Sequence, residues 1–229
     1  MALNPPIDSH CIDAAAAPGN KTILLANILK NTGLIHAFDI DESRIKTMGE
    51  NLKKHHVKNV RLKCADFLQT DPLKYDRVTH ILVDPSCSGS GMTNRLKYGA
   101  DSSEQELVKD KKRLWNLEAL QRRFVLHAMS FPNVERIVYS TCSIHEEENE
   151  NVVRHVLKNC NQKFQLVNIL ENKWKNGRGL VKTEEDKNVF HLDYCIRTSY
   201  EQNLTNGFFV SCFERVQVDT EEIEINNEE

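Results

Sequence analysis

The chain has 229 residues, of which 40% are hydrophobic and 28% charged, and its formal net charge is −3. That length supports one full core, and the near-neutral charge excludes a protein whose whole surface is basic. No apolar run approaches the roughly 18 residues of a membrane span, so no membrane partner is expected.

The predicted elements alternate. "HCIDAAA" reads as a short buried strand running into a small-residue turn, and "KTILLANIL" has helical spacing, with Gly33 as its C-cap. "LIHAFDID" is a second strand, "ESRIKTMGENLKKHH" a helix, "VRLKCAD" a third strand and "VTHILVDPS" a fourth. Residues 104 to 129 form a long helix, followed by the strand "RIVYSTCS" and the helix "EEENENVVRHVLKNC". "FQLVNIL" and "NGFFVSCFERV" close the series, the second as an antiparallel return. Strands alternating with helices predict a mostly parallel sheet covered on both faces. One domain is expected over residues 1–218, then an acidic, disordered tail at 219–229.

Seven cysteines (Cys11, Cys64, Cys87, Cys142, Cys160, Cys195 and Cys212) are odd in number and scattered, with no C-x-x-C pair. A disulfide framework and a tetrahedral zinc site are therefore not expected. The histidines His55, His56, His145, His155 and His191 show no metal spacing. Most of the thiols read as core residues.

In open α/β sheets ligands sit beyond the carboxyl ends of the strands. After strand one, "DAAAAPGNKT" leaves little side-chain bulk, and the helix that follows offers unpaired N–H groups. After strand two, Asp39 suits a ribose diol; Asp66 and Asp84 end strands three and four. A nicotinamide cofactor shares the acid after strand two, but "AAAAPGNK" holds one glycine where G-x-G-x-x-G needs three. S-adenosylmethionine, an adenosine ligand without phosphate, fits better.

A methyl donor needs an acceptor. Carbon 5 of a pyrimidine becomes nucleophilic when a thiolate adds at carbon 6, and a second acid/base group helps to undo the adduct. "DPSCSGSG" and "YSTCSIHEEENE" each carry a cysteine at the same sheet edge. "SIHE", Ser143 to Glu146, matches a capping box, which would set Cys142 beside a helix N-terminus that favours thiolate. Asp84 is placed to hydrogen-bond the base. Chemistry alone leaves open which cysteine attacks. Glu147 and Asn149 read as braces of the Cys142 loop. The segment "KDKKRLWNLEALQRR" and "NRLKY" read either as phosphate contacts, with Arg95, Arg113 and Gln121 as weak candidates, or as solvated surface, the preferred reading for any one of the three, while Trp115 and Trp174 read as packing anchors.

In order across residues 11 to 216, "DAAAAPGNKT", "FDID", "CADF", "ILVDPSCSGSG", "YSTCSIHEEENE" and "GFFVSCFERV" resemble the Nol/Nop/Sun (RsmB-like) family of RNA cytosine-5 methyltransferases. Within it they are most similar to the branch called Sun-domain member five. The resemblance implies a Rossmann-like, S-adenosylmethionine-dependent methyltransferase fold. It implies Cys142 as the nucleophile and Cys87 as the residue that helps release product, with Asp84 beside them. It implies cofactor contacts from Ala15, Ala16, Ala17, Pro18, Gly19, Asn20, Lys21, Asp39, Arg44, Asp66 and Asp84. Large-subunit, 28S-type rRNA and a nucleolar location go with it; separately, a monomer is expected. Ala15 and Asn20 stand where the family usually has cysteine and glycine. Family members also carry an N-terminal RNA-binding segment and strands upstream of the first one here, so a catalytic-domain fragment is expected. The rival reading is a non-catalytic module that binds S-adenosylmethionine or RNA during ribosome assembly.

Overall fold

The computed structural model describes residues 2–92, 104–171 and 173–217. Five parallel strands come first: β1 (His10–Asp13), β2 (Leu34–Asp39), β3 (Val60–Cys64), β4 (Val78–Val83) and β5 (Arg136–Thr141). Three short or reversed strands finish the sheet: β6 (Phe164–Leu166), β7 (Ile196–Thr198) and β8 (Phe208–Arg215). The order is β3-β2-β1-β4-β5-β8-β6, with β7 also paired to β8. Strand order reverses between β1 and β4, which places a switch point beside the small-residue turn.

Strand residues divide by parity between two helical layers. Ile12, Ile81, Val83, Ile137 and Tyr139 share one core with Val125, Ala128 and Met129 of α3 (Glu104–Met129) and Val152, Val153 and Val156 of α4 (Glu150–Asn159). Cys11, Ile35, Leu82 and Val138 face the other way, onto Leu25, Ala26 and Leu29 in and just after α1 (Asn20–Ile28). Met48 and Leu52 of α2 (Glu42–Lys54) close a third cluster with Ala16, Ala17, Ile23 and Ala37. Among the described residues no helix is long and apolar enough to cross a membrane.

β8 runs antiparallel against β5 from Thr141↔Phe209 to Arg136↔Glu214. Its outer edge is shared: β6 pairs Phe213 to Arg215, and β7 pairs Phe208 to Val210. Between β6 and β8 the chain makes an excursion containing α5 (Glu184–Asn188), β7 and α6 (Tyr200–Asn203), none of which the periodicity reading resolved. These elements are three to five residues long, too short to show a period.

Two expected helix ends differ. Gly33 does not cap α1, which ends at Leu29 with left-handed residues at Lys30 and Asn31. Gly33 instead turns the chain into β2 at φ 64°, where a Cβ would meet the Ser9 carbonyl oxygen at 2.2 Å. The second is the start of α4 after Cys142, which falls at Glu150. The tail after residue 217 lies outside the described residues.

β1 is tied to α1 by a buried acid. Asp13 is 1% exposed and its Oδ2 accepts a 2.6 Å hydrogen bond from Thr22 Oγ1. Burial pushes its carboxyl up from 3.8 to about 7, the Thr22 bond opposing only in part. An acid raised in the folded state stabilises the fold fully below its unfolded value, and that contribution is lost as pH rises through the folded one. Asp13→Asn therefore gains on the wild type as pH rises. Between pH 5 and pH 8 the difference in unfolding free energy should move toward the variant by at least about 1 kcal/mol. Urea unfolding at the two pH values reads it, and any constant loss from the amide cancels in the difference.

Candidate active site

Parallel strands deliver their following loops to one edge, and the residues singled out in the sequence gather there. The turn after β1 is built from Ala15, Ala16, Ala17, Pro18, Gly19, Asn20 and Lys21; six of these, all but Gly19, line a cleft with Asp13 and Asp84. Gly19 is the N-cap of α1 at φ 104°, and no side chain caps the helix. A Cβ on Gly19 would meet Met48 Cγ at 2.9 Å, so the turn lies tight against α2. The first-turn N–H groups of α1 thus face the cleft edge as donors.

Asp39, at the end of β2, is buried and already engaged. Ala17 N donates to its Oδ2 at 3.2 Å and Asp41 N to its Oδ1 at 3.1 Å. Arg44 pairs with the same carboxylate at 3.3 Å and also donates to the Ala17 carbonyl oxygen. The Arg44 side chain is 48% exposed. Asp66, after β3, caps the short 3-10 turn Phe67–Gln69 by accepting from Leu68 N at 2.9 Å.

Asp84 follows β4 and joins three elements. Lys21 of α1 forms an ion pair with its Oδ2, and Ser140 of β5 donates to its Oδ1 at 2.7 Å. The Lys21 ammonium also sits 5.6 Å from the centre of the Phe208 ring. Asp84 therefore reaches the cleft with both carboxyl oxygens already held by partners.

The two loop cysteines meet. Cys87 Sγ and Cys142 Sγ are 3.2 Å apart, both half-buried. The hydrogen bond from Cys87 is the main cause that lowers the Cys142 thiol to about 7, against burial and the Asp84 charge, with Lys21 assisting. The same bond, then burial, pushes the Cys87 thiol far up. The contact thus biases Cys142 toward thiolate and Cys87 toward thiol. Burial moves Cys11 and Cys212 to about 12 and Cys195 well above its ordinary value. These three are inert core thiols, Cys160 is buried as well, and Cys64 is exposed.

The helix after Cys142 starts later than the capping box implied. α4 begins at Glu150, with Asn149 as N-cap, and Ser143 to Glu148 form an irregular turn. Ser143 Oγ accepts from His145 N at 3.0 Å, not from Glu146 N, while Glu146 pairs with Arg154 and Lys182. The helix dipole is therefore displaced from Cys142, and a neighbouring thiol takes over its role. Asn149 does brace the loop: Thr141 Oγ1 donates to its Oδ1 at 2.6 Å, and its Nδ2 donates to the Ser143 carbonyl oxygen at 2.9 Å. The expected second brace, Glu147, is replaced in that role by its neighbour. Glu148 is fully buried and accepts from Ser88 N at 2.8 Å, Ser88 Oγ at 2.6 Å and Gln121 Nε2 at 3.0 Å.

Two glycines hold the cysteine loops to β8. Gly91 N donates to the Cys142 carbonyl oxygen at 3.0 Å, and Gly207 N to the Gly91 carbonyl oxygen at 2.8 Å. A Cβ on Gly91 would lie 2.2 Å from the Gly207 oxygen, so only glycine permits the crossing.

The phosphate candidates separate. Gln121 is fully buried against Ser86 and Glu148, which removes it from the surface. Arg113 lies on α3 beside Lys109 and Lys112, and Arg95 lies outside the described residues. Trp174 packs partly buried in the second core, but Trp115 is 62% exposed on α3 and is no packing anchor. Nothing in the sequence marks Gln121 or Glu148 apart from other polar residues; Glu148 reads like one acid of a helix's first turn.

The family model for the 16S rRNA methyltransferase RsmB/F matches residues 1–214. A mouse 28S rRNA (cytosine-C(5))-methyltransferase is 42% identical over 220 residues, 95% of this chain and 45% of the mouse protein. The Drosophila melanogaster 28S rRNA (cytosine-C(5))-methyltransferase is 39% identical over 217 residues, 93% of this chain and 47% of its own. The chain thus spans about half the length of these curated relatives. Among solved structures, a methyltransferase homologue from Pyrococcus horikoshii superposes with a TM-score of 0.73 at 28% identity, covering 94% of this chain and 64% of the other. NSun6 from the same organism, solved with SFG, gives 0.66 at 28% identity, covering 95% and 50%. A match that runs through every strand-end loop of the cleft and both cysteine loops leaves one assignment: the chain belongs to the RsmB/F family of methyltransferases.

Proposed function

We propose that this chain is the catalytic domain of an S-adenosylmethionine-dependent RNA cytosine-5 methyltransferase acting on large-subunit rRNA, with the nucleolus as its place of work. The observation that carries the reading is the 3.2 Å contact between Cys87 and Cys142 at the edge of the Ala15–Lys21 cleft. A small-molecule methyltransferase has no use for two thiols there. The large-subunit substrate rests on the relatives' activity and on the motifs.

The cleft fits the cofactor in its chemistry. Alanines line it, the start of α1 adjoins it without a side-chain cap, and Asp39 and Asp66, after β2 and β3, would supply carboxylates for ribose and adenine. Arg44 closes over Asp39 in this state. When bound, S-adenosylmethionine supplies an electrophilic methyl group on a sulfonium.

The chain's own residues do the rest. Cys142 thiolate bonds carbon 6 of the cytosine, which makes carbon 5 a nucleophile toward the methyl group. Asp84, held by Lys21 and Ser140, accepts from the base edge and fixes its orientation. After methylation the carbon 5 proton must leave and the carbon–sulfur bond must break. Once Cys142 is a thioether, the bond that kept Cys87 protonated no longer faces a thiolate, so Cys87 ionises more readily and assists release. Carbon 6 is hidden in a stacked helix, so the target base is unpaired or flipped.

α3 supplies a surface for the strand. Gln121 pins it to Ser86, just past the end of β4. Residues 109 to 113 precede Gln121 by eight to twelve positions, about 12–18 Å along the axis, beyond the carboxyl edge of the sheet. Lys109, Lys112, Arg113 and Asn116 share one face there, with the exposed Trp115 beside them.

Two outcomes follow. On a denaturing gel with S-adenosylmethionine and large-subunit rRNA, Cys87→Ala should accumulate a slow-migrating covalent adduct and Cys142→Ala none. An adduct only with Cys142→Ala reverses the two roles; none with either protein, although both bind the cofactor by calorimetry, counts against the RNA substrate. The triple variant Lys109→Ala, Lys112→Ala, Arg113→Ala should lower the slope of log affinity against log salt by about 2 for single-stranded RNA. Its cofactor affinity should be unchanged. An unaltered salt slope removes α3 from the interface.

A further inference from the structure

We propose that Glu148 is the positioning residue of the cysteine pair: its buried carboxylate, acting through a serine cluster, holds the Cys87 loop against the Cys142 loop so that the two thiols touch. The proposal rests on the methyltransferase reading only for the roles given to the thiols.

Glu148 is fully buried, and a carboxylate taken out of water needs compensation. It receives that from three neutral donors: Ser88 N, Ser88 Oγ and Gln121 Nε2. Two of the three belong to the residue next to Cys87. Its backbone is held as well, since Tyr139 OH donates to the Glu148 carbonyl oxygen at 2.5 Å. Tyr139 is itself buried in β5, so the carboxylate hangs from a rigid part of the sheet.

The serine cluster carries the constraint across. Ser88 Oγ lies 3.0 Å from Ser90 Oγ and 3.2 Å from Ser143 Oγ, and the latter two are 3.1 Å apart. Ser90 Oγ accepts from Ile144 N at 3.1 Å, and Ser143 Oγ from His145 N at 3.0 Å. A hydroxyl has one proton to give, and an ionised carboxylate only accepts. Ser88 Oγ is placed to donate to the carboxylate and to both other serines, and its 2.6 Å contact with Glu148 is the shortest of the three. The cluster joins residues 88 to 90 to residues 143 to 145, the segments that follow the two cysteines directly. Without Glu148, Ser88 loses two hydrogen-bond acceptors at once, and the Cys87 loop loses the tie nearest its cysteine.

The chemistry distinguishes shape from charge. In Glu148→Gln the side-chain amide keeps a carbonyl oxygen for Ser88 N and Gln121, and its nitrogen donates to Ser88 Oγ, whose proton turns toward the other serines. That variant thus preserves the bonding without the charge. Glu148→Ala removes both. Ser88→Ala removes only the hydroxyl.

The test reads the thiol contact itself, without RNA. Peptide-resolved alkylation of Cys142 by iodoacetamide between pH 5 and pH 10 gives the thiolate midpoint in wild type, Glu148→Gln, Glu148→Ala and Ser88→Ala. The thiolate is the form that reacts. Glu148→Ala should raise the Cys142 midpoint by about one unit or more, which lowers alkylation at pH 7 about fivefold. Ser88→Ala should shift it the same way by about half a unit, and Glu148→Gln should stay at the wild-type midpoint. Wild-type midpoints in both alanine variants overturn the proposal. So does a Glu148→Gln protein displaced as far as Glu148→Ala, because the charge and not the bonding would then act. If Glu148→Ala does not fold, Ser88→Ala decides alone: a shifted midpoint supports the proposal and an unshifted one overturns it. An absence of RNA adduct in Cys87→Ala strikes the methyltransferase reading and leaves this measurement intact.

Discussion

Neighbouring parallel strands must end at the same edge of a sheet, and β4 and β5 are neighbours paired residue for residue from His80↔Arg136 to Val83↔Tyr139. From that one constraint the paired thiols follow. Cys87 lies four residues past the end of β4 and Cys142 one residue past the end of β5. Two loops leaving adjacent strands on one side have little room to part, and small residues let them close: Ser88, Gly89, Ser90 and Gly91 on one, Ser143 on the other. The contact lowers one thiol and raises the other, so geometry set by the sheet becomes a difference in chemical reactivity.

β8 holds the arrangement from the far side. It pairs with β5 along six residues, and its entry is fixed by the Gly91–Gly207 crossing, which ties the Cys87 loop to it. The excursion before β8 is locked by ions. Arg154 of α4 holds Asp186 through two bonds, at 2.6 and 3.0 Å, and that bidentate pair is the main cause that keeps the Asp186 carboxyl far below its ordinary range. Arg197 reaches the buried Glu150 at 3.5 Å, a charge contact without a hydrogen bond, and donates to the Ile144 carbonyl oxygen at 2.7 Å. The second of these contacts lands two residues after Cys142. Segments remote in sequence thus converge on the turn that follows the nucleophilic thiol.

The cofactor side is legible for a simple physical reason. A turn that must let a ligand approach its backbone shows it in composition, and after β1 four alanines are followed by proline and glycine. Acids at strand ends are legible in the same way, because parallel strands end on one side and each end is a known place. Reach is what the sequence hides. Asp39 is bridged by Arg44, and Asp84 by Lys21 and Ser140, so the acceptors are held by partners 5, 63 and 56 positions away.

By itself the sequence determined the alternation of strands and helices, the small-residue turn and the two cysteine loops, because each depends on neighbours within a few residues. Tertiary structure decided the rest. "SIHE" satisfies the local pattern of a capping box, but the serine hydroxyl goes to the other cysteine loop and α4 starts at Glu150. Gln121 and Trp115 lie six residues apart on one helix, yet one is buried against the site and the other is 62% exposed. Glu148 differs from Glu147 by one position, and that position turns its side chain inward to the serines. Which acid faces inward, which hydroxyl finds which partner and which sulfur keeps its proton all depend on contacts between loops 55 to 60 residues apart, such as Cys87 with Cys142 and Ser88 with Glu148. Local pattern carries no record of those distances.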